Sequence, residues 1–166
     1  RSFQDLPVEE YREVVSTHVE AINRALEDVP ADRVRLHTCW GNYEGPHHRD
    51  VELASVLPEL YDLDVGYLSV EAASPRHAHE YRAFEEHPLP EDVTLMPGVV
   101  DVKTNVVEHP ETVADRLERA VEVVGDPSRV VAAPDCGFGT LAWSSAVEDI
   151  AWAKLESLVE GAEIAS

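Results

Sequence analysis

Val65-Gly66-Tyr67-Leu68-Ser69-Val70-Glu71 is a mostly apolar run that ends abruptly on a carboxylate. A strand of a parallel sheet reads this way, because helices cover both of its faces and neither needs polar side chains for water. Upstream, Arg33-Val34-Arg35-Leu36-His37-Thr38-Cys39 alternates and carries enough branched residues to form a second strand. Downstream, residues 93–97 and 129–133 repeat the apolar pattern. Each strand is followed by a stretch with helical character, over 50–60, 75–86, 110–124 and 145–161. Asp50 is placed to cap the first of these helices. Ahead of all four units, Val8, Tyr11, Val14, Val15, Val19, Ile22 and Leu26 recur at three- and four-residue steps, which predicts a helix over 6–26 with Asp5 and Pro7 as start signals.

Strands alternating with helices specify a parallel sheet. A doubly wound open sheet would show the same order of elements. The barrel is favoured by where the chemically distinctive residues fall: at the C-terminal end of strand after strand, the active-site face of a (βα)₈ barrel. Four units make half of such a barrel, and the first helix has no strand before it. The expectation is therefore an α/β chain supplying the C-terminal half of a TIM barrel. Residues 1–32 form the preceding helix and residues 33–166 the four βα units, with four earlier units on sequence outside this chain.

Composition narrows the partners. The chain has 33 acidic against 13 basic residues and a net charge of −20, which disfavours binding to nucleic acid or an anionic membrane. Lys103 and Lys154 are its only lysines, and an acid excess with scarce lysine suits solubility in high salt. No apolar run is long enough to span a bilayer. The two cysteines, Cys39 and Cys136, do not amount to a disulfide framework, so the reading is cytoplasmic with both thiols reduced.

His37-Thr38-Cys39 puts two metal-ligand types two residues apart on a strand, where alternate side chains share a face. Glu71 ends the next strand, and Pro134-Asp135-Cys136-Gly137 ends the last. Two thiols, an imidazole and a carboxylate are donors that zinc accepts tetrahedrally. Taken singly, these residues also fit blander roles: a buried cysteine beside a hydrogen-bonded histidine, a carboxylate paired with an arginine, a space-filling thiol. Asp101 reads equally as a substrate-orienting group and as a loop cap, and Asp135 as a ligand-orienting group or a turn stabiliser. His47 and His48, in a loop rich in glycine and proline, read as surface or substrate-facing rather than as metal ligands, because adjacent side chains alternate sides awkwardly for one ion. Trp40, Tyr43 and Trp143 fit either the mouth of a pocket or packing. The glycines form no dinucleotide-binding pattern.

Four motifs in order, His37-Thr38-Cys39, Ser69-Val70-Glu71-Ala72, Pro97-Gly98-Val99-Val100-Asp101 and Pro134-Asp135-Cys136-Gly137, resemble those of the catalytic domain of cobalamin-independent methionine synthase. The wider group includes epoxyalkane:coenzyme M transferase. The strings from Cys39 to His48 and from Asp135 to Thr140 look most like its short, single-barrel branch. The resemblance implies a zinc ion on His37, Cys39, Glu71 and Cys136, and transfer of a methyl group to a thiol such as homocysteine from a methylfolate or a methylcorrinoid. It also implies that the strands here are the fifth to eighth of the barrel. Where the methionine synthase pattern has a histidine two positions after the motif aspartate, this chain has Lys103. Lys103 and Asp101 are the expected catalytic groups, and the departure keeps alkylation of a thiol by another electrophile, such as an epoxide, as an alternative. A further alternative is a metal-binding fragment without turnover, because half a barrel needs its missing half or a second copy to cover its strand edges.

Overall fold

The computed structural model describes residues 5–139 and 147–166. Its first helix, α1, runs Val8–Leu26, with two glutamates in the first turn and Arg24 in the last, both favourable to the helix dipole. Pro7 occupies the N-cap, as the sequence suggests. Asp5 does not cap; it pairs with Arg49.

Four strands follow, β1 (Arg35–Thr38), β2 (Tyr67–Val70), β3 (Thr94–Val100) and β4 (Ala133–Pro134). They are parallel and lie side by side in chain order, β1-β2-β3-β4. This order separates the two architectures that share the same element sequence, since a doubly wound sheet reverses direction at a switch point and a barrel does not. The chain forms a parallel half-barrel. β1 and β2 align His37 with Ser69, and β2 and β3 align Val70 with Pro97. Strand β4 is shorter than expected from 129–133. Arg129 lies in a 3₁₀ turn, and Val130 makes only an isolated bridge to Leu95 before pairing resumes at Ala133.

Between the strands lie α2 (Leu57–Leu60), α3 (Ala83–Glu86), α4 (Pro110–Val124) and, after β4, α5 (Glu148–Ile164). The bounds of α4 match expectation, with Pro110 at its first position and the His109 ring accepting from the Glu111 N–H. The helices expected over 50–60 and 75–86 are each reduced to a 3₁₀ turn and a single helical turn. Long-range bonds replace helical ones there: the Leu53 N–H donates to Glu80 Oε2, and Asp50 binds two histidines. The expected start of the last helix at Ser145 lies outside the described residues.

The larger apolar core joins Val19 of α1, Leu53, Leu57, Leu68, Val70, Phe84 and Leu95. Each such side chain contributes about 1.5–3 kcal/mol on full burial. A second cluster, Val99, Val100, Val113 and Leu117, is closed by Leu158 and Ala162 of α5. The two helices meet so closely that a Cβ at Gly161 would stand 2.4 Å from that of Val113. Lys154 of α5, wholly buried, donates to the Val106 carbonyl and, at 2.9 Å, to Glu108 Oε2, pinning the loop that leads out of β3. Among the described residues no helix is long and apolar enough to cross a membrane.

Candidate metal centre

Parallel strands in register present their C-terminal ends together, so residues just past β1, β2 and β4 become neighbours. His37 and Cys39 leave β1 on the same face, and Cys136 follows β4 by two residues. One ligand atom from each of His37, Cys39 and Cys136 lies within 4.8 Å of the others. The His37 ring is oriented by its Nδ1 contact to Ser69 Oγ at 3.1 Å, a pairing dictated by the β1–β2 register. Such a bond on one ring nitrogen aims the other. Two sulfurs and an imidazole form a donor set suited to zinc.

Glu71, with 0% of its surface exposed, stands directly behind this trio. Its Oε1 accepts from Cys136 Sγ at 3.3 Å, and its Oε2 accepts from Lys103 Nζ at 2.6 Å. Glu71 therefore touches one sulfur while its other oxygen is bound to the ammonium. Burial opposes the charge on Lys103, but the hydrogen bond and charge of Glu71 outweigh it and hold the ammonium above its ordinary range.

The thiols are unequal. The Cys39 thiol is pulled down to about 4, first by a hydrogen bond from Cys136 and then by His37. Cys136 is pushed up by that same bond, by burial and by Glu71. His37 is raised chiefly by its hydrogen bond with Cys39. Negative charge thus gathers on the exposed sulfur, next to the imidazole.

Asp135 is the hub beneath the site. Its Oδ1 accepts from the Ala72 and Ala73 N–H groups at 2.9 and 2.8 Å, and its Oδ2 from the Ser74 N–H at 2.7 Å. One side chain beside Cys136 thereby fixes the backbone that follows Glu71. Burial pushes its carboxyl up to about 6 against the pull of these donors. Asp101 takes the loop-capping role: its Oδ1 accepts from the Lys103 N–H at 2.8 Å, and its own N–H donates to Glu108 Oε1 at 2.7 Å. Glu108, which sequence reading did not single out, so holds both Asp101 and Lys154.

Over the strand ends, Asn42 Nδ2 donates to the Gly137 carbonyl at 2.7 Å, tying the loop after β1 to the loop after β4. Trp40 and Tyr43 are packing residues. The Trp40 indole donates to the Val51 carbonyl at 2.6 Å and stacks on His77, and Tyr43 lies against His47. His47 is buried, contrary to a surface reading, whereas His48 is exposed. Trp143 lies outside the described residues.

A family model described as "Cobalamin-independent synthase, Catalytic domain" matches residues 15–163. The 2-hydroxypropyl-CoM lyase of Xanthobacter autotrophicus is 30% identical over 171 residues, covering 88% of this chain and 44% of that protein. The methionine synthase of Thermococcus kodakarensis is 34% identical over 154 residues, covering 90% of this chain and 38% of its own length. Among solved structures, a B12-independent methionine synthase from Shewanella sp. W3-18-1, in complex with selenomethionine, aligns with a TM-score of 0.66 at 21% identity, over 88% of this chain and 42% of that one. The chain thus spans well under half the length of these relatives, and the likeness in structure is one of fold.

Proposed function

The chain belongs to the family of cobalamin-independent synthase catalytic domains, and from that membership we propose that it supplies half of a cytoplasmic, zinc-dependent transferase that places a methyl group on a thiol, in the manner of methionine biosynthesis. The proposed acceptor is homocysteine, and the proposed donor a methylfolate or a methylcorrinoid. The observation that carries this reading is the convergence of His37, Cys39 and Cys136 at three strand ends, with Glu71 in contact with Cys136. These four are the proposed metal ligands. A zinc ion there would supply the Lewis acidity that keeps a substrate thiol as its nucleophilic thiolate near neutral pH.

The protein's own groups divide the remaining work. Glu71 is the hardest donor of the four and is already shared with the Lys103 ammonium, so with a metal bound it would be the ligand to yield to an incoming thiol. Lys103 would keep that carboxylate paired, which spares the cost of a buried lone charge. Glu71 holds the Lys103 ammonium above its usual range against burial, and the proposed service of that ammonium is to steady Glu71 and to bind an anionic group of the substrate or donate a proton to it. Asp101 shapes the turn that presents Lys103.

Lys103 at the position of the methionine synthase histidine, together with the 2-hydroxypropyl-CoM lyase relative, favours a second reading with the same thiol activation and an epoxide as electrophile. In either case the remaining half-barrel, or a second copy, is the proposed structural partner. Among the described residues β1 and β4 each present an unpaired edge, and Trp152 and Val159 of α5 are exposed. The test is product formation by the full-length protein with homocysteine and each donor in turn, beside a Cys136→Ser variant. Methionine from either methyl donor, abolished in the variant, is expected. Turnover with epoxides alone would replace the first reading with the second, and methyl transfer undiminished in Cys136→Ser would reject the zinc centre.

A further inference from the structure

A second cluster of titratable side chains lies on the same end of the sheet, between the loop after β1 and the loop after β2. His47 is 7% exposed, His77 1% and Glu80 4%, and the Asp50 side chain is 6% exposed. Asp50 Oδ2 lies 2.7 Å from His47 Nδ1 and 3.1 Å from His77 Nε2, so one carboxylate oxygen is shared between two imidazoles. The far nitrogen of each ring meets a pure acceptor: His47 Nε2 faces the Tyr43 carbonyl at 3.0 Å, and His77 Nδ1 faces Glu80 Oε1 at 3.5 Å.

Proton accounting limits how this cluster can be satisfied. A neutral imidazole has one N–H, and each ring here has acceptors at both of its nitrogens. One proton per ring therefore cannot satisfy every contact. Either a second proton on each ring or one metal ion shared by His47 Nδ1, His77 Nε2 and Asp50 Oδ2 completes the cluster, and the geometry of its outer partners fits the metal. Ligating histidines regularly give their other N–H to a backbone carbonyl or a carboxylate, which sets tautomer and ring angle, and both histidines here have that partner.

We propose that His47 Nδ1, Asp50 Oδ2 and His77 Nε2 form a second metal site, for a divalent transition ion of the zinc type, in which the Tyr43 carbonyl and Glu80 orient the two imidazoles. Two nitrogen donors select against calcium and magnesium, which take oxygen. Bonds of about 2.0–2.1 Å in a tetrahedral shell place ligand atoms about 3.3 Å apart. Two of the three ligand pairs stand at 2.7 and 3.1 Å, and the group as a whole lies within 4.8 Å.

The surroundings hold the ligands in place. His47 sits at φ 45°, the left-handed region that a non-glycine residue occupies only when its surroundings impose it. Its carbonyl accepts from Arg76 Nε at 3.0 Å, and Glu80 Oε2 accepts from the Leu53 N–H at 3.0 Å. The His77 ring is stacked on Trp40 at 3.8 Å with the planes 6° apart. Trp40 follows Cys39 directly, so an ion here would brace the loop that carries one proposed ligand of the first centre. The site holds loops 40–52 and 71–80 together where regular helix is absent. Two carboxylates, a divalent ion and two neutral imidazoles leave it electrically neutral.

The experiment is elemental analysis of the full-length protein, saturated with zinc and freed of excess, with X-ray absorption at the zinc edge. Near two zinc ions per chain are expected in the natural sequence, and near one in each of His77→Gln, Asp50→Asn and Cys136→Ser. The ion remaining in Cys136→Ser should show an oxygen and nitrogen shell without sulfur. Should His77→Gln fail to fold, Asp50→Asn and the Cys136→Ser spectrum decide. The proposal is overturned by a wild-type count of one that vanishes in Cys136→Ser, or by an undiminished count in both His77→Gln and Asp50→Asn. A count that falls in those two but not in Cys136→Ser would instead sink the first centre and leave this one standing.

Discussion

Replacing Gly98 by alanine should be among the most damaging single-methyl additions in the chain. Gly98 lies in β3 opposite Ala133, and a Cβ there would stand 1.9 Å from Asp135 Oδ1, 2.9 Å from its Cγ and 2.8 Å from its Cα. The carboxylate can swing aside, but the Cα belongs to the backbone and can move only with the end of β4. Swinging the carboxylate breaks bonds to Ala72, Ala73 and Ser74, each worth about 1.5–3 kcal/mol where the acceptor is charged. Losing one of them, with an overpacking cost of about 1–3 kcal/mol, gives about 2.5–6 kcal/mol. That is a large share of a typical domain's 5–15 kcal/mol. The assay is urea unfolding of the full-length protein with an unchanged slope, read beside zinc content, because the same shift moves Cys136 and the backbone after Glu71. Combined with Asp135→Ala, the two costs should fall short of their sum, since both remove the same bonds. A Gly98→Ala midpoint within about 1 kcal/mol of the natural protein, with zinc retained, would refute the account of Asp135 as the hub of the site.

Gly161→Ala should cost about 1–3 kcal/mol in the same unfolding assay, because its methyl would meet Val113 Cβ at 2.4 Å and the Pro110 carbonyl at 2.7 Å; Val113→Ala in the same chain should not restore the loss, since both of those atoms remain. In metal-free protein, alkylation by iodoacetamide should favour Cys39 over Cys136 and proceed at a nearly constant rate from pH 5 to 8. A thiol at about 4 is already thiolate throughout that window and loses reactivity only as the pH falls through 4. A rate rising tenfold per unit between pH 6 and 8 would show an ordinary thiol, and saturation with zinc should protect both cysteines.

Much of the half-barrel is legible in the chain because its signals are local. The apolar run 65–70, the matching bounds of α4 and the ligand types placed just past strand ends all follow from side-chain period and turn chemistry within a few residues. The same local reading overestimates the helices over 50–60 and 75–86. Asp50, His77 and Glu80 look like ordinary helix-start or helix-surface residues until their partners are known. His47 gives the same lesson, since a loop rich in glycine and proline signals exposure, yet Asp50, Tyr43 and His77 enclose it.

By itself, the sequence determined the succession of four βα units and the positions of His37, Glu71 and Cys136 at or just past strand ends, because these rest on periodicity; the resemblance to a known family is what made those residues and Cys39 a ligand set. Only the tertiary structure decided the strand order that makes a half-barrel rather than a doubly wound sheet. It alone paired Lys103 with Glu71, gave Asp135 the backbone of residues 72–74, and joined two histidines from separate loops through Asp50. The physical reason is separation along the chain. Glu71 and Lys103 stand 32 residues apart, and Ala72 and Asp135 63 apart. No local period records which of the chain's many carboxylates will meet a given cation or N–H once the strands are brought side by side.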